Sequence, residues 1–173
     1  QVLVEWPANQ APRLAFRHQT EQWVNYDGGG VPSALLGTAV KGGWDNGGTI
    51  YVARMCHPET GLMYKLPGKY HSDYKKAYVC SRGKEQEKKT GFELLLGAQF
   101  EWAVVTHGNI PDNAVVASRA ADGSPIYVAR AKVGNHDSIG MTRQGLSYCL
   151  VPFGGKEHTV RAYEVLVNVV MPS

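Results

Sequence analysis

Ile50-Tyr51-Val52-Ala53-Arg54 returns as Ile126-Tyr127-Val128-Ala129-Arg130. Each copy follows a Gly-rich turn, and each is followed by a Gly-Lys-Glu triplet, at 83–85 and again at 155–157. Two matched landmarks in the same order make the chain two copies of one unit of about seventy residues. Its segments are short, rich in Val, Ile and Tyr, and bounded by Gly and Pro, with no sustained helical period. The expected class is therefore all-β with antiparallel strands. One unit alone would expose an apolar face. Two tandem antiparallel β repeats packed together bury it, which predicts a pseudo-twofold sandwich or prism.

The first repeat is placed at residues 23–96 and the second at 97–173. Residues 1–22 stand outside the repeat and read as an N-terminal extension, either an edge pair of strands or an interchain arm. In the first repeat, strands are predicted at 49–56, 77–80 and 92–96. Residues 42–48, 66–69 and 83–85 read as turns, because Gly and Pro punctuate them. The second repeat offers strands at 126–131, 148–151 and 163–166, with small loop insertions between landmarks.

Composition narrows the function. A formal net charge of +3, with no basic stripe carrying interleaved aromatics, gives no nucleic-acid signal. No apolar run is long enough to span a membrane. Three cysteines, Cys56, Cys80 and Cys149, show neither metal-ligand spacing nor a disulfide framework. Cys56 and Cys80 share a repeat and are either bonded or, as buried free thiols, packed in the core. A chain starting at Gln1 is either a processed secretory precursor or a trimmed piece. We expect an extracellular, secreted protein, with a cytoplasmic one as the alternative.

The full shared pattern is Trp, then Pro with Ala-Val, a Gly/Asp turn, Tyr-Val-Ala-Arg, Pro-Gly-Lys, Gly-Lys-Glu-His and Tyr-Glu-Val-Leu. It resembles the DM-nine repeat family, which includes the N-terminal module of natterin-like proteins and mannose-binding lectins of molluscs. The resemblance covers about residues 23–170. It implies a tandem β-repeat lectin that recognises mannose-type glycans, frequent homodimerisation, and a role in innate immunity. It also implies that the sugar is held by the Asp of the Gly/Asp turn and the Lys of Pro-Gly-Lys, here Asp45 and Lys69. In some relatives the Glu of Gly-Lys-Glu lies near the sugar, which adds Glu85.

The chemistry of these side chains suits a sugar. A carboxylate accepts from vicinal hydroxyls while an ammonium donates to the same oxygens, and charge-assisted bonds are the stronger kind. Trp44 or Tyr70 is placed to stack on the ring. Gly42, Gly43, Gly47, Gly48 and Gly68 would admit close backbone approach. The plain alternative is a hairpin turn at Asp45-Asn46-Gly47 and a solvated Lys69. Because Lys69 would compete with a metal, the expected lectin is calcium-independent and has no cofactor.

The second copy departs from the pattern. Its Asp position falls on Ala120 or Ala121, and its Lys position on Met141. A possible second site would use Asp122, Glu157 and His158, with Arg143 pairing Asp122. Arg54 and Arg130 recur alongside Glu85 and Glu157, which predicts an ion pair within each repeat. Trp23 and Trp102 read as core anchors. No nucleophile elbow, phosphate loop or metal spacing is present, so no enzyme is expected. The alternative to a lectin is a structural or regulatory protein-interaction module that has lost sugar binding.

Overall fold

The structure, a computed structural model, describes residues 21–28 and 30–169. Residues 1–20 of the N-terminal extension, read as edge strands or an interchain arm, lie outside the described residues. The first repeat contributes β1 (Gln22–Tyr26), β2 (Lys41–Asp45), β3 (Gly48–Met55), β4 (Leu66–His71), β5 (Lys76–Ser81), β6 (Lys84–Lys88) and β7 (Phe92–Leu96). The second contributes β8 (Phe100–Val105), β9 (Val116–Arg119), β10 (Pro125–Val133), β11 (His136–Thr142), β12 (Cys149–Phe153), β13 (Lys156–Val160) and β14 (Tyr163–Asn168). One short helical turn, α1 (Ser33–Leu36), and a 3₁₀ turn at Pro58–Thr60 interrupt the strands of the first repeat.

All the strands join one antiparallel sheet, in the order β1-β7-β3-β4-β5-β6-β13-β12-β11-β10-β14-β8, with β2 on β3 and β9 on β10. The order reads the same from either end once each strand is replaced by its counterpart in the other copy. The repeats meet where Lys84 of β6 faces Lys156 of β13. There the Glu85 amide donates to the Gly155 carbonyl and the Glu157 amide to the Gly83 carbonyl. The expected sandwich thus closes as a single curled sheet. β11 packs on β2 and β4, and β12 packs on β5.

Burial follows this curl. A central cluster takes Val40, Ile50, Val52 and Leu95 from the first repeat and Val115, Val128, Ile139 and Leu166 from the second. A second cluster, around Tyr70 and Phe92 of the first repeat, also takes Ile126 of the second, and a third, around Val151 and Val165, lies within the second repeat. Trp23 and Trp102 pack against the central cluster from its edge and are only partly buried.

Three expectations need correction. Residues 66–69 are not a turn: Pro67, Gly68 and Lys69 lie inside β4, with Gly68 opposite Ala53 and Lys69 opposite Val52. Gly68 marks a close backbone approach rather than a bend. A Cβ there would stand 1.9 Å from the Tyr78 carbonyl oxygen, and one on its counterpart Gly140 would stand 1.9 Å from that of Leu150. Residues 42–48 are likewise mostly strand, and only Asn46-Gly47 turns, with φ of 50° and 90°. That is the left-handed pair an Asn-Gly hairpin supplies. At 83–85 the turn is confined to Arg82-Gly83, since β6 begins at Lys84.

The recurrent Arg and Glu are also paired differently. Arg54 binds Glu93 through Nε at 2.8 Å and Nη2 at 2.6 Å, and Arg130 binds Glu164 at 2.9–3.0 Å. These acids belong to the closing strands, β7 and β14, and stand directly opposite the arginines in register. Each guanidinium also covers an indole, Arg54 over Trp23 at 4.2 Å and Arg130 over Trp102 at 4.5 Å. Glu85 and Glu157 instead brace the seam: each carboxylate accepts the amide of the opposite hairpin, Gly155 and Gly83 respectively, at 3.1 Å.

Candidate functional site

Asp45 ends β2 just before the Asn46-Gly47 turn, and Lys69 lies in the middle of β4. Because Pro-Gly-Lys is strand, Lys69 points inward from a fully buried strand instead of into solvent. Its ammonium reaches Asp45 Oδ2 at 3.0 Å, with side-chain exposures of 3% and 6%. The ammonium also lies 5.2 Å from the centre of the Phe153 ring and 5.7 Å from that of Tyr78. A buried ion pair survives only when its remaining valences are met. Here Lys69 has a carboxylate and two aromatic faces.

The second carboxylate oxygen is different. Asp45 Oδ1 is buried without a hydrogen-bond donor. His136 Nδ1 stands 3.3 Å away, but that nitrogen accepts the Asn46 amide at 3.1 Å. In the neutral ring it therefore faces Oδ1 as a second acceptor. His71, fully buried, accepts the amides of Asp73 and Tyr74 on Nδ1 at 3.2–3.3 Å, so its Nε2 donates to the Asp45 carbonyl at 2.6 Å.

These groups border a small pocket of about 210 Å³, lined by Asp45, Asn46, Lys69, Tyr74, Tyr78, Glu85, Phe153 and Gly154. It is smaller than the roughly 300 Å³ at which drug-sized sites begin, and matches a single small polar ligand. Burial first, then the charges of Glu87 and Glu85, push the Tyr78 phenol up, so it keeps its proton and can donate. Burial also raises the Glu85 carboxyl above its ordinary range, against the opposing pull of Lys69 and the Gly155 amide. Trp44 is half exposed beside the site, stacked on His136 at 5.4 Å. Tyr74 is also exposed and accepts from Asn46 Nδ2 at 2.6 Å.

Asp45, Lys69 and Glu85 are thus brought together in the lining, whereas Gly68, next to Lys69 in β4, and Trp44, next to Asp45 in β2, are not part of it. Tyr70 is not available to a ligand: it is 1% exposed and its hydroxyl accepts the Val31 amide. Gly42 and Gly43 approach Ile139 and Asp137 of β11, not open space. The lining residues missed in the sequence are Asn46, Tyr74, Tyr78, Phe153 and Gly154, and His136 stands behind Asp45. Tyr78 lies opposite Lys69 in register, which a strand assignment for 66–71 would have revealed. Phe153 and His136 come from the other repeat, and no local signal points to them.

The corresponding place in the second repeat is filled in. In register, Met141 opposite Val128 replaces Lys69, and Ala120 at the β9–β10 turn replaces Asp45. Both Ala120 and Met141 pack against the first repeat's core. Asp122 pairs with Arg143 at 3.4 Å, but on an exposed turn. Glu157 holds the Gly83 amide and His158 lies against the Phe153 carbonyl at 2.9 Å. Asp122, Glu157 and His158 therefore have separate partners and share none of the hydrogen bonds among the described residues.

A larger trough of about 880 Å³ runs along Val104–His107 and Arg130–Lys132. Four of its charges are paired, Arg130 with Glu164 and Lys132 with Asp137, while Arg161 donates to the Ser147 hydroxyl. Among the described residues no three His, Cys, Asp or Glu side chains converge to hold a metal, and no helix is long and apolar enough to cross a membrane.

The fold and pocket define a class: an all-β tandem-repeat module with one small polar and aromatic pocket where its repeats meet. The model of the DM9 repeat matches residues 44–160 and 121–171, and the chain belongs to the DM9 repeat family. In fold it is similar to the crystal structure of the nematode sperm cell motility protein MFP2B. The TM-score is 0.65 at 16% identity, over 88% of this chain and 47% of that one. The chain thus spans about half the length of that protein. A comparison with curated proteins finds no match.

Proposed function

We infer that the chain is a carbohydrate-binding module that takes one mannose-type residue in the pocket at Asp45 and Lys69, without calcium and without catalysis. The observation that carries this reading is the Asp45–Lys69 pair, a carboxylate and an ammonium in the lining of one small pocket with Tyr78 and Glu85. A sugar hydroxyl both donates and accepts, so it can bond to either member of such a pair. A cationic ligand fits less well, because Lys69 already lies over the aromatic faces that would hold it. Lys69 also gives the positive charge that a calcium ion would bring to a sugar site. Tyr74 and Phe153 in the lining provide faces for the apolar side of a pyranose.

A single small site binds weakly, so useful avidity would come from a homodimer showing two sites. Recognition of mannose-type glycans outside the cell, as in innate immunity, is the setting we propose. The second reading is a protein-interaction module, and one observation favours it: the fold is shared with a cell motility protein. Calorimetric titration with mannose, with and without chelator, separates the two. The lectin reading expects binding unchanged by chelator and abolished in Asp45→Ala. Silence toward mannose and a broad glycan panel favours the second reading.

A further inference from the structure

We propose that the cleft next to the sugar pocket is an anion subsite. The glycan taken here then carries an acidic substituent, a phosphate, sulfate or uronate, on the ring beyond the one held by Asp45 and Lys69. This rests on the sugar site proposed above and names its ligand class. The cleft holds about 770 Å³ and lies in the first repeat, between residues 30–36 and the β4–β5 turn. Tyr74 lines both cavities, so they adjoin across one ring. That ring is fixed: it stacks on His71 at 4.0 Å, and its hydroxyl accepts from Asn46 Nδ2 at 2.6 Å. The sugar pocket, at about 210 Å³, has room for one ring. A second ring linked to it and passing Tyr74 enters the cleft.

The charge of the cleft has one sign. Lys75 and Lys89 line it, and no acid does. Neither ammonium has an ion-pair partner among the described residues, whereas Lys76 is held by Glu87 and Lys65 by Glu93. Two ammonium groups that lack a carboxylate suit an oxyanion, to which they give charge-assisted bonds. Ser33 adds a hydroxyl to the same lining, while the Ser72 hydroxyl donates to the Thr49 carbonyl at 3.1 Å. Asp73, beside Tyr74 in sequence, lines neither cavity. It lies against Gly48 of β3, where a Cβ would stand 3.0 Å from its carboxylate.

The backbone places Lys75 for this role. Its φ is 56°, a left-handed conformation that few non-glycine residues take. Its amide donates to the His71 carbonyl at 2.8 Å. Its stem crosses Gly30, where a Cβ would come within 3.1 Å of Lys75 Cδ. Gly30 has φ of 51°, so a side chain there would be strained as well as crowded. Pro32 and Leu36 add apolar surface to the cleft. Apolar walls with a few placed polar groups are the usual make-up of a ligand site.

In the second repeat the counterpart segments touch. Ile110-Pro111 answers to Val31-Pro32, and the loop between β11 and β12 answers to the β4–β5 turn. There the Gly145 amide donates to the Gly108 carbonyl at 3.4 Å. A Cβ on Gly108 would stand 2.7 Å from the Leu146 carbonyl oxygen, which also accepts from the Tyr163 hydroxyl at 3.0 Å. The first repeat thus keeps the Asp–Lys pocket and an open cleft side by side, and the second has lost the one and drawn together the segments that would form the other.

The test has a glycan arm and a sugar-free arm. Calorimetry of the full chain compares a neutral mannobiose with the same disaccharide bearing a phosphate, a sulfate or a uronate on one ring. At about 50 mM salt an acidic form should bind about fivefold tighter, and the gain should fade near about 0.5 M salt. A gain with any of the three supports the subsite and names the substituent. Lys75→Gln/Lys89→Gln should erase the gain and leave the neutral mannobiose at its wild-type affinity. Both side chains are exposed, so the double variant should melt where the wild type does. Equal affinities in the wild type, or a gain that survives in the double variant, overturn the inference. In the sugar-free arm, inorganic phosphate is titrated at low salt and followed by NMR. The amide resonances of Ser33, Ser72 and Lys75 should move in the wild type and stay still in the double variant. If no sugar binds, moved resonances keep the subsite and overturn the sugar reading alone, and unmoved ones overturn both.

Discussion

Lys69→Met tests the energetics of the site against a substitution the protein has already made in its other half, at Met141. In the variant Asp45 would be left at 6% side-chain exposure without its counter-ion. Breaking a buried pair by removing one partner costs about 3–5 kcal/mol. Asp45→Ala leaves Lys69 with two aromatic faces and no carboxylate, and should cost a similar amount. Removing both partners reproduces the Ala120 and Met141 arrangement, which packs against the core without charge. Replacing a whole buried pair by apolar groups is often neutral or stabilising. The double variant Asp45→Ala/Lys69→Met should therefore lie within about 1 kcal/mol of wild type. For a domain of this size each kcal/mol moves Tm by about 2–4 °C, so either single variant should melt about 6–20 °C lower. Urea unfolding followed by tryptophan fluorescence gives the four stabilities of the cycle. Additive losses, with the double variant less stable than either single one, would refute the account of a buried and mutually dependent pair.

Three further outcomes follow from the packing. Gly68→Ala and Gly140→Ala each drive a Cβ to 1.9 Å from a neighbouring carbonyl oxygen, so each should destabilise by more than about 2 kcal/mol in chemical denaturation. In the native protein, Ellman's reagent should titrate Cys56, which is exposed, and not Cys80 or Cys149, which are buried. Burial pushes the Cys149 thiol up to about 12, and full titration of all three should require denaturant. Burial alone would raise the Glu93 carboxyl, yet the bonds from Lys65 and Arg54 outweigh it and hold the group below its ordinary range. A carboxylate depressed in the folded state stabilises above its unfolded pKa, and that stability is lost as pH falls through the folded value. Glu93→Gln should therefore flatten the acid side of the stability curve, as read by thermal melts from about pH 7 to 3.

The tandem architecture was legible because a duplicated pattern is visible without any knowledge of packing. The pentapeptide at 50–54 and its copy at 126–130 are β3 and β10, opposite Glu93 and Glu164 in register. What misled was the reading of glycine and proline as turns. In β4 the glycine answers to the Tyr78 carbonyl pressed against it, and the proline lies within a buried strand. That single change of state moves Lys69 from solvent to the interior and turns a weak surface contact into a buried pair. The arginine partners were misassigned for a related reason: repetition shows that Glu85 and Glu157 matter, but not that they cross the seam. The pocket's far wall, Phe153 and Gly154, depends on the curl of the sheet, which brings β11 and β12 over the first repeat. The loss of Asp and Lys in the second copy was legible, since comparing aligned copies needs only the sequence. The role of that copy in holding the first one's site was not.

Crystals soaked with mannose test the central claim, that two symmetric repeats carry one site. The account predicts density for a single pyranose against Asp45 and Lys69, bounded by Tyr74, Tyr78 and Phe153, and none between Ala120 and Met141. Density in both repeats, or in the second alone, would contradict it.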